Sequence, residues 1–186
     1  VSSTAESLRP LRIVGCGSAH GDDAVGWEVV RVLRASAQSL ADVELYTVDS
    51  GHQILDLLDG RGTLIVVDAV SSGRRPGTLH HLHWPDAGAE TMHPGSTHAL
   101  RPAWALRLAG ALGILPPQVV IFGVEMTPSG TQGTGLSGPV AAALPRLTQR
   151  ISDDWLRDRG DEPAGSRSRR SGSRVTRGSR LRRQRP

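Results

Sequence analysis

The sequence contains no lysine, one cysteine and few aromatic residues, and each shortage excludes something. Without lysine there is no Lys-Ser or Lys-Thr pair, so a nucleotide-binding P-loop is ruled out. Cys16 alone supports neither an internal disulfide nor a multi-cysteine metal site. Aromatics are 3% of a chain whose hydrophobic share is 38%, so the core must be assembled from Val, Leu, Ile and Ala. No apolar run approaches the roughly 18 to 20 residues needed to cross a bilayer, and none near the N-terminus has the form of a signal peptide. The expectation is a cytoplasmic protein with no membrane contact. Its 186 residues leave room for one ordinary domain.

The net charge of +4 suggests a nucleic-acid binder until its location is considered. Nine arginines and no acid follow from Arg167 onward, so the remainder holds thirteen basic residues against all eighteen acids, a net of −5. Residues 164–186 have almost no apolar side chains and no periodicity, and are expected to form a disordered tail. The tail's functional reading is weak electrostatic contact with nucleic acid or another anionic surface; the alternative is a solvated extension. Residues 1–10 read as a loose leader, leaving 11–158 as the folded domain.

Within that domain strand-like and helix-like segments alternate. Leu11 to Cys16 is a short β-branched run followed by small residues, and 24–37 places Val25, Val29, Val30 and Leu33 at helical spacing. Val43 to Val48 reads as a second strand, 53–58 as a short helix, and Thr63 to Val70 as a strand buried on both faces. Residues 77–84 read as an edge strand after the turn at Arg75-Pro76-Gly77. A helix over 98–112, a buried strand over 118–124 and a last helix over 138–155, with Pro139 in its first turn, complete the pattern. The expected fold is α/β: a three-layer αβα sandwich with a mostly parallel twisted sheet and an edge hairpin strand.

Ligands of open parallel sheets bind at the carboxyl ends of strands. There this sequence places acids: Asp22 and Asp23 after the first strand, Asp49 after the second, Asp68 in the third and Glu125 in the last. Such a rim repels phosphate and attracts cations. The glycines at 15, 17 and 21 also miss the dinucleotide spacing, and two carboxylates occupy the position where a pyrophosphate would sit.

The segments GCGSAHGDDAVG, VDSGHQILDLLDG, LIVVDAVSSGRRPGTLHHL, STHAL, PPQVVIFGVEM and GTGLSGPVAAALPRL together resemble, in order, the hydrogenase maturation endopeptidases. The resemblance covers Leu11 to about Ile151. It implies a twisted sheet flanked by helices and an enzyme that removes a C-terminal peptide from the nickel-iron hydrogenase large-subunit precursor after nickel insertion. It also implies that Asp23, Asp68 and His98 contact the metal, with nickel supplied by the substrate and no permanent cofactor. Two carboxylates and an imidazole suit a divalent first-row ion. The loop from Gly17 to Asp23 is one residue shorter than the usual family spacing, so Asp22 stands as the alternative to Asp23. Ser18 replaces a common asparagine, and Ser50 a glycine.

Each residue also has a plainer role open to it. Asp23 could cap the first helix, and His98 could be a helix-start histidine without a ligand. His80, His81 and His83 read as solvated, with only His81 and His83 sharing a face. His52 and Asp49 fall close enough to support the site from outside. Cys16 reads as a buried small residue, since a reactive thiol needs an activating partner. The reaction expected is hydrolysis by water, with the metal polarising the carbonyl or acidifying the water and Asp22 or Asp49 acting as base. The competing functions are a non-catalytic α/β binding module localised by its basic tail, and a metal-dependent amidase acting on another peptide.

Overall fold

The computed structural model describes residues 10–36, 42–85, 102–128 and 133–159. The leader before Pro10, the arginine-rich tail and His98 lie outside the described residues.

Five strands form one sheet in the order β2-β1-β3-β5-β4, with β1 Leu11–Cys16, β2 Val43–Val48, β3 Thr63–Val70, β4 Leu79–His83 and β5 Gln118–Glu125. The first three match the ranges expected from the sequence. β1, β2, β3 and β5 are parallel, and β3 pairs with β5 along its whole length, from Thr63↔Gln118 to Val70↔Glu125. All eight residues of β3 are buried, as its unbroken apolar run requires of a central strand.

The edge strand stands where expected, but it closes no hairpin with β3. β5 already occupies that side of β3, so β4 pairs antiparallel with β5 instead, from Leu79↔Val124 to His83↔Val120.

Alternation along the strands sends side chains to two cores. Ile13, Ile65, Val67, Val120 and Phe122 meet Val25, Val29 and Leu33 of α1 (Val25–Ser36) and Val140, Ala143 and Leu147 of α3 (Gly138–Ile151). Val14, Cys16, Leu64, Val66 and Ile121 meet Ile54 and Leu58 around the 3-10 segment Gly51–Leu57, and Ala105, Leu106 and Ala109 of α2 (Pro102–Ala111). This is the three-layer sandwich. Full burial of each Val, Leu or Ile is worth about 1.5–3 kcal/mol, and with one phenylalanine in the chain these aliphatics carry the core.

The helices start and end differently in detail. A 3-10 turn, Gly21–Ala24, precedes α1, and α3 runs on into a π turn over Ser152–Leu156. Pro139 sits in the first turn of α3, where its missing N–H costs nothing. At the N-terminal end of the sheet, Arg12 is buried between Glu44 (2.9 Å) and Asp59 (2.8 Å). That end is closed by structure, and the chemistry-bearing residues gather at the other.

Candidate active site

In the strand order, β1 is flanked by β2 on one side and β3 on the other. Chain connections diverge there, and in open α/β sheets this is the position, beyond the carboxyl ends of the strands, where ligands bind. Glycine lets α1 close over this point. A Cβ on Gly26 would lie 2.3 Å from the Cys16 carbonyl oxygen and 2.6 Å from that of Val67, and one on Gly15 would lie 2.1 Å from the Gly26 carbonyl oxygen. Helix start and strand ends therefore touch backbone to backbone.

The loop between β1 and α1 curls tightly. Gly17 has φ +138°, and a Cβ there would lie 1.8 Å from the Asp23 carbonyl oxygen, so glycine is required. The Gly17 N–H and the Trp27 indole N–H both donate to the Val48 carbonyl, at 3.1 and 3.0 Å, which ties the loop and α1 to the end of β2.

Asp22 and Asp23 are adjacent in the 3-10 turn but differ in role. Asp22 is 1% exposed, and its carboxylate accepts four hydrogen bonds. Oδ2 takes the Thr127 N–H, the Thr127 hydroxyl and the Ser137 hydroxyl, each at 2.9 Å, and Oδ1 takes the Ser137 N–H at 2.6 Å. Burial pushes this carboxyl up, but the donors outweigh it and hold it below the usual aspartate range. A carboxylate so engaged ties the loop after β1 to the residues that follow β5.

Asp23 is half-buried, and Asp68 is buried near the end of β3. Asp68 and Cys16 lie on the same side of the sheet by strand alternation, the side covered by α2. Both carboxylates act on the Cys16 thiol: burial first, then the charges of Asp68 and Asp23, push it well above the ordinary thiol range. Cys16 is thus a neutral core thiol.

Glu125, the acid at the end of β5, is likewise engaged by donors of the fold. It is 2% exposed and accepts from the N–H groups of Ser72, Gly73 and Arg74, the Ser72 hydroxyl and His80 Nε2, the last at 2.9 Å. Burial raises its carboxyl and these donors more than reverse the effect. His80 is correspondingly not solvated. His81 and His83 do share the opposite face, with ring centroids 5.1 Å apart, and His81 stacks on Phe122 at 4.7 Å with an Arg150 nitrogen 3.2 Å from Nδ1. Burial, then Arg150 and His83, hold His81 below the ordinary histidine range.

Asp49 and His52 are exposed at the end of β2; the Asp49 N–H donates to Gln53 Oε1 at 3.0 Å, and His52 Nδ1 lies 2.7 Å from the Ser50 hydroxyl. Among the described residues no group of three His, Cys, Asp or Glu side chains is placed to hold a metal ion. The third contact expected from the sequence, His98, lies outside those residues. Sequence reasoning missed the duties of Asp22, Glu125 and His80, because their partners are 45 to 115 residues away in the chain.

A mostly parallel α/β sheet with an antiparallel edge strand, closed over the β1–β3 switch point, defines an open α/β domain of three layers. This chain belongs to the hydrogenase maturation protease family, whose model matches residues 29–154. Among solved structures it is similar to the hydrogenase maturating endopeptidase HybD from E. coli, with 26% identity and a TM-score of 0.67 over 81% of this chain and 94% of that one. It is equally similar to an endopeptidase from Escherichia coli solved in solution, at 26% identity and a TM-score of 0.69, with the same coverage. The nickel-iron hydrogenase maturation protease HybD from Thermococcus kodakarensis shares the fold at 19% identity and a TM-score of 0.60, over 77% of this chain and 97% of that one. No curated protein sequence matches. No helix among the described residues is long and apolar enough to cross a membrane.

Proposed function

We propose that this protein is the endopeptidase that removes the C-terminal extension of a nickel-iron hydrogenase large-subunit precursor after nickel insertion, with Asp23, Asp68 and His98 contacting the substrate's nickel. The observation that carries the reading is the family match over residues 29–154, with Asp23 in the loop after β1 and Asp68 near the end of the adjoining β3. The acids on either side, Asp22 and Glu125, have purely structural partners. Hard carboxylates with an imidazole match a divalent first-row ion that keeps its own ligands from the precursor. His98 precedes α2 by four residues, and α2 covers the side of the sheet on which Asp68 lies.

Nickel held against the scissile carbonyl would polarise it or acidify an attacking water. With Asp22 buried under four donors, we assign the proton to the exposed Asp49. Using the substrate's metal would make cleavage conditional on nickel loading, since the unloaded precursor offers the two carboxylates nothing to bind.

The test is cleavage of purified precursor, loaded and unloaded, by the wild-type chain and by Asp68→Asn. Cutting of the loaded precursor alone, with at least about a hundredfold loss in the variant, is the expected result; a charge-stabilising group removed from an active site costs this much. Undiminished cutting by a folded Asp68→Asn protein sinks the assignment. Cleavage independent of nickel would favour an amidase of the same architecture.

A further inference from the structure

The loop between β3 and β4, residues 71–78, is organised around one side chain. Glu125 Oε1 accepts the N–H groups of Ser72 (2.7 Å), Gly73 (2.9 Å) and Arg74 (3.1 Å), while Oε2 takes the Ser72 hydroxyl at 2.7 Å and His80 Nε2 at 2.9 Å. The Glu125 backbone carbonyl accepts the Gly77 N–H at 2.8 Å, and the Thr78 N–H and hydroxyl both donate to the Arg75 carbonyl, at 3.1 and 2.6 Å. Gly77 has φ +79°, and a Cβ there would lie 2.5 Å from the Pro139 carbonyl oxygen, so the loop also rests on the start of α3. Burying a carboxylate is costly unless donors surround it. Here the donors are consecutive backbone groups, so the same contacts that satisfy Glu125 fix the loop.

This fixed loop displays two arginines. Arg74 and Arg75 are exposed, and neither side chain has a polar partner among the described residues. The other described arginines each have a hydrogen bond, an ion pair or an electrostatic partner, as Arg12 has with Glu44 and Asp59 and Arg150 with Asp154. In a body where acids outnumber bases, this ordered loop carries two adjacent cations with no counter-ion among the described residues. Their place is also specific. Arg74 follows Asp68 by six residues, within about 21 Å even for an extended chain, at the end of the sheet where the two carboxylates lie. The guanidinium fork matches a carboxylate with two parallel hydrogen bonds, and a backbone already ordered reduces the entropy lost on binding.

We propose that Arg74 and Arg75 dock an acidic segment of the polypeptide substrate and so set which chains reach the carboxylates. This rests on the reading of the protein as a protease, and it names a specificity element of the same site.

The experiment uses the full chain, so that the arginine-rich tail contributes equally to every variant. Cleavage of nickel-loaded precursor by R74E/R75E should show KM raised about tenfold with kcat within about twofold, because a rim charge acts on encounter and not on chemistry. Wild-type KM should climb more steeply between about 50 and 500 mM salt than that of R74E/R75E. R74K/R75K, which keeps charge but loses the fork, should fall between the two. Binding of fluorescein-labelled hexaglutamate, read by anisotropy without any cleavage, should weaken about tenfold in R74E/R75E. Equal hexaglutamate affinity in both proteins, or an unchanged KM, overturns the proposal. So does a loss in R74E/R75E of binding to a single-stranded oligonucleotide with hexaglutamate binding unaltered. A wild-type chain that binds hexaglutamate through these arginines but cuts no precursor strikes the protease reading and leaves the docking element standing.

Discussion

Asp22 accepts the Ser137 N–H at 2.6 Å across 115 residues of chain, and with that bond the loop after β1 is fastened to the start of α3. Thr127 completes the tie from the end of β5. Asp22→Asn replaces one accepting oxygen by a donor that faces other donors, so it should destabilise the fold by about 2–4 kcal/mol, the cost of several buried groups left unpaired. Urea unfolding followed by circular dichroism reads this directly. A variant as stable as wild type would mean that the bonds carry no weight.

Acid should attack the protein at the same points. Asp22 and Glu125 are both held below their ordinary values of 3.8 and 4.5. For a carboxyl whose folded pKa lies below its unfolded one, the stability it contributes is complete above the unfolded value and is lost as pH falls through the folded value. The melting temperature should therefore hold steady through neutral pH and decline below about pH 4.5, and the decline should shrink in Asp22→Asn. A flat profile down to about pH 2 would contradict both shifts.

The two glycines Gly26 and Gly110 predict opposite signs for one substitution. At Gly26 a methyl group meets two backbone oxygens within 2.6 Å, and neither can swing away, so Gly26→Ala should cost about 2 kcal/mol or more. At Gly110, on the exposed side of α2, the nearest atom is a Leu115 methyl at 3.9 Å, and alanine should stabilise by about 0.4–1 kcal/mol. Thermal melts of the two variants should fall on either side of wild type.

Cys16 should behave as an inert thiol. It is buried, and its two carboxylate neighbours oppose ionisation further, so thiolate is scarce at neutral pH. Iodoacetamide at pH 7.5 should leave the native protein unmodified and label it promptly in urea, as counted by intact mass. Cys16→Ala should retain peptidase activity within about threefold, since no thiol chemistry is expected of a neutral buried group. Rapid labelling of the native chain would require a different environment for this residue.

Much of the fold could be read from the sequence because its signals are local. The unbroken run from Thr63 to Val70 announced a doubly buried strand, the β-branched run from Leu11 to Cys16 gave β1, and Val25, Val29 and Leu33 marked the buried face of α1. The partner of β4 was hidden because nothing local distinguishes pairing with β3 from pairing with β5. The acids at strand ends were all visible, but their duties were not. Asp22 and Asp23 are adjacent and chemically alike; what separates them is the arrival of donors from Thr127 and Ser137. Glu125 likewise looks like a rim acid until Ser72, Gly73, Arg74 and His80 fold onto it.

The tie at Asp22 also bears on when the enzyme can exist during synthesis. β1 and its acidic loop leave the ribosome first, yet the groups that fasten the loop are Thr127 and Ser137, and β4 waits for β5 before it has any strand to pair with. Long-range pairings of this kind form late. A nascent chain halted before Ser137 would carry Asp23 on an unfastened turn and leave β4 unpaired. The bonds that fasten the Asp22 loop therefore become possible only once the chain has been made as far as Ser137.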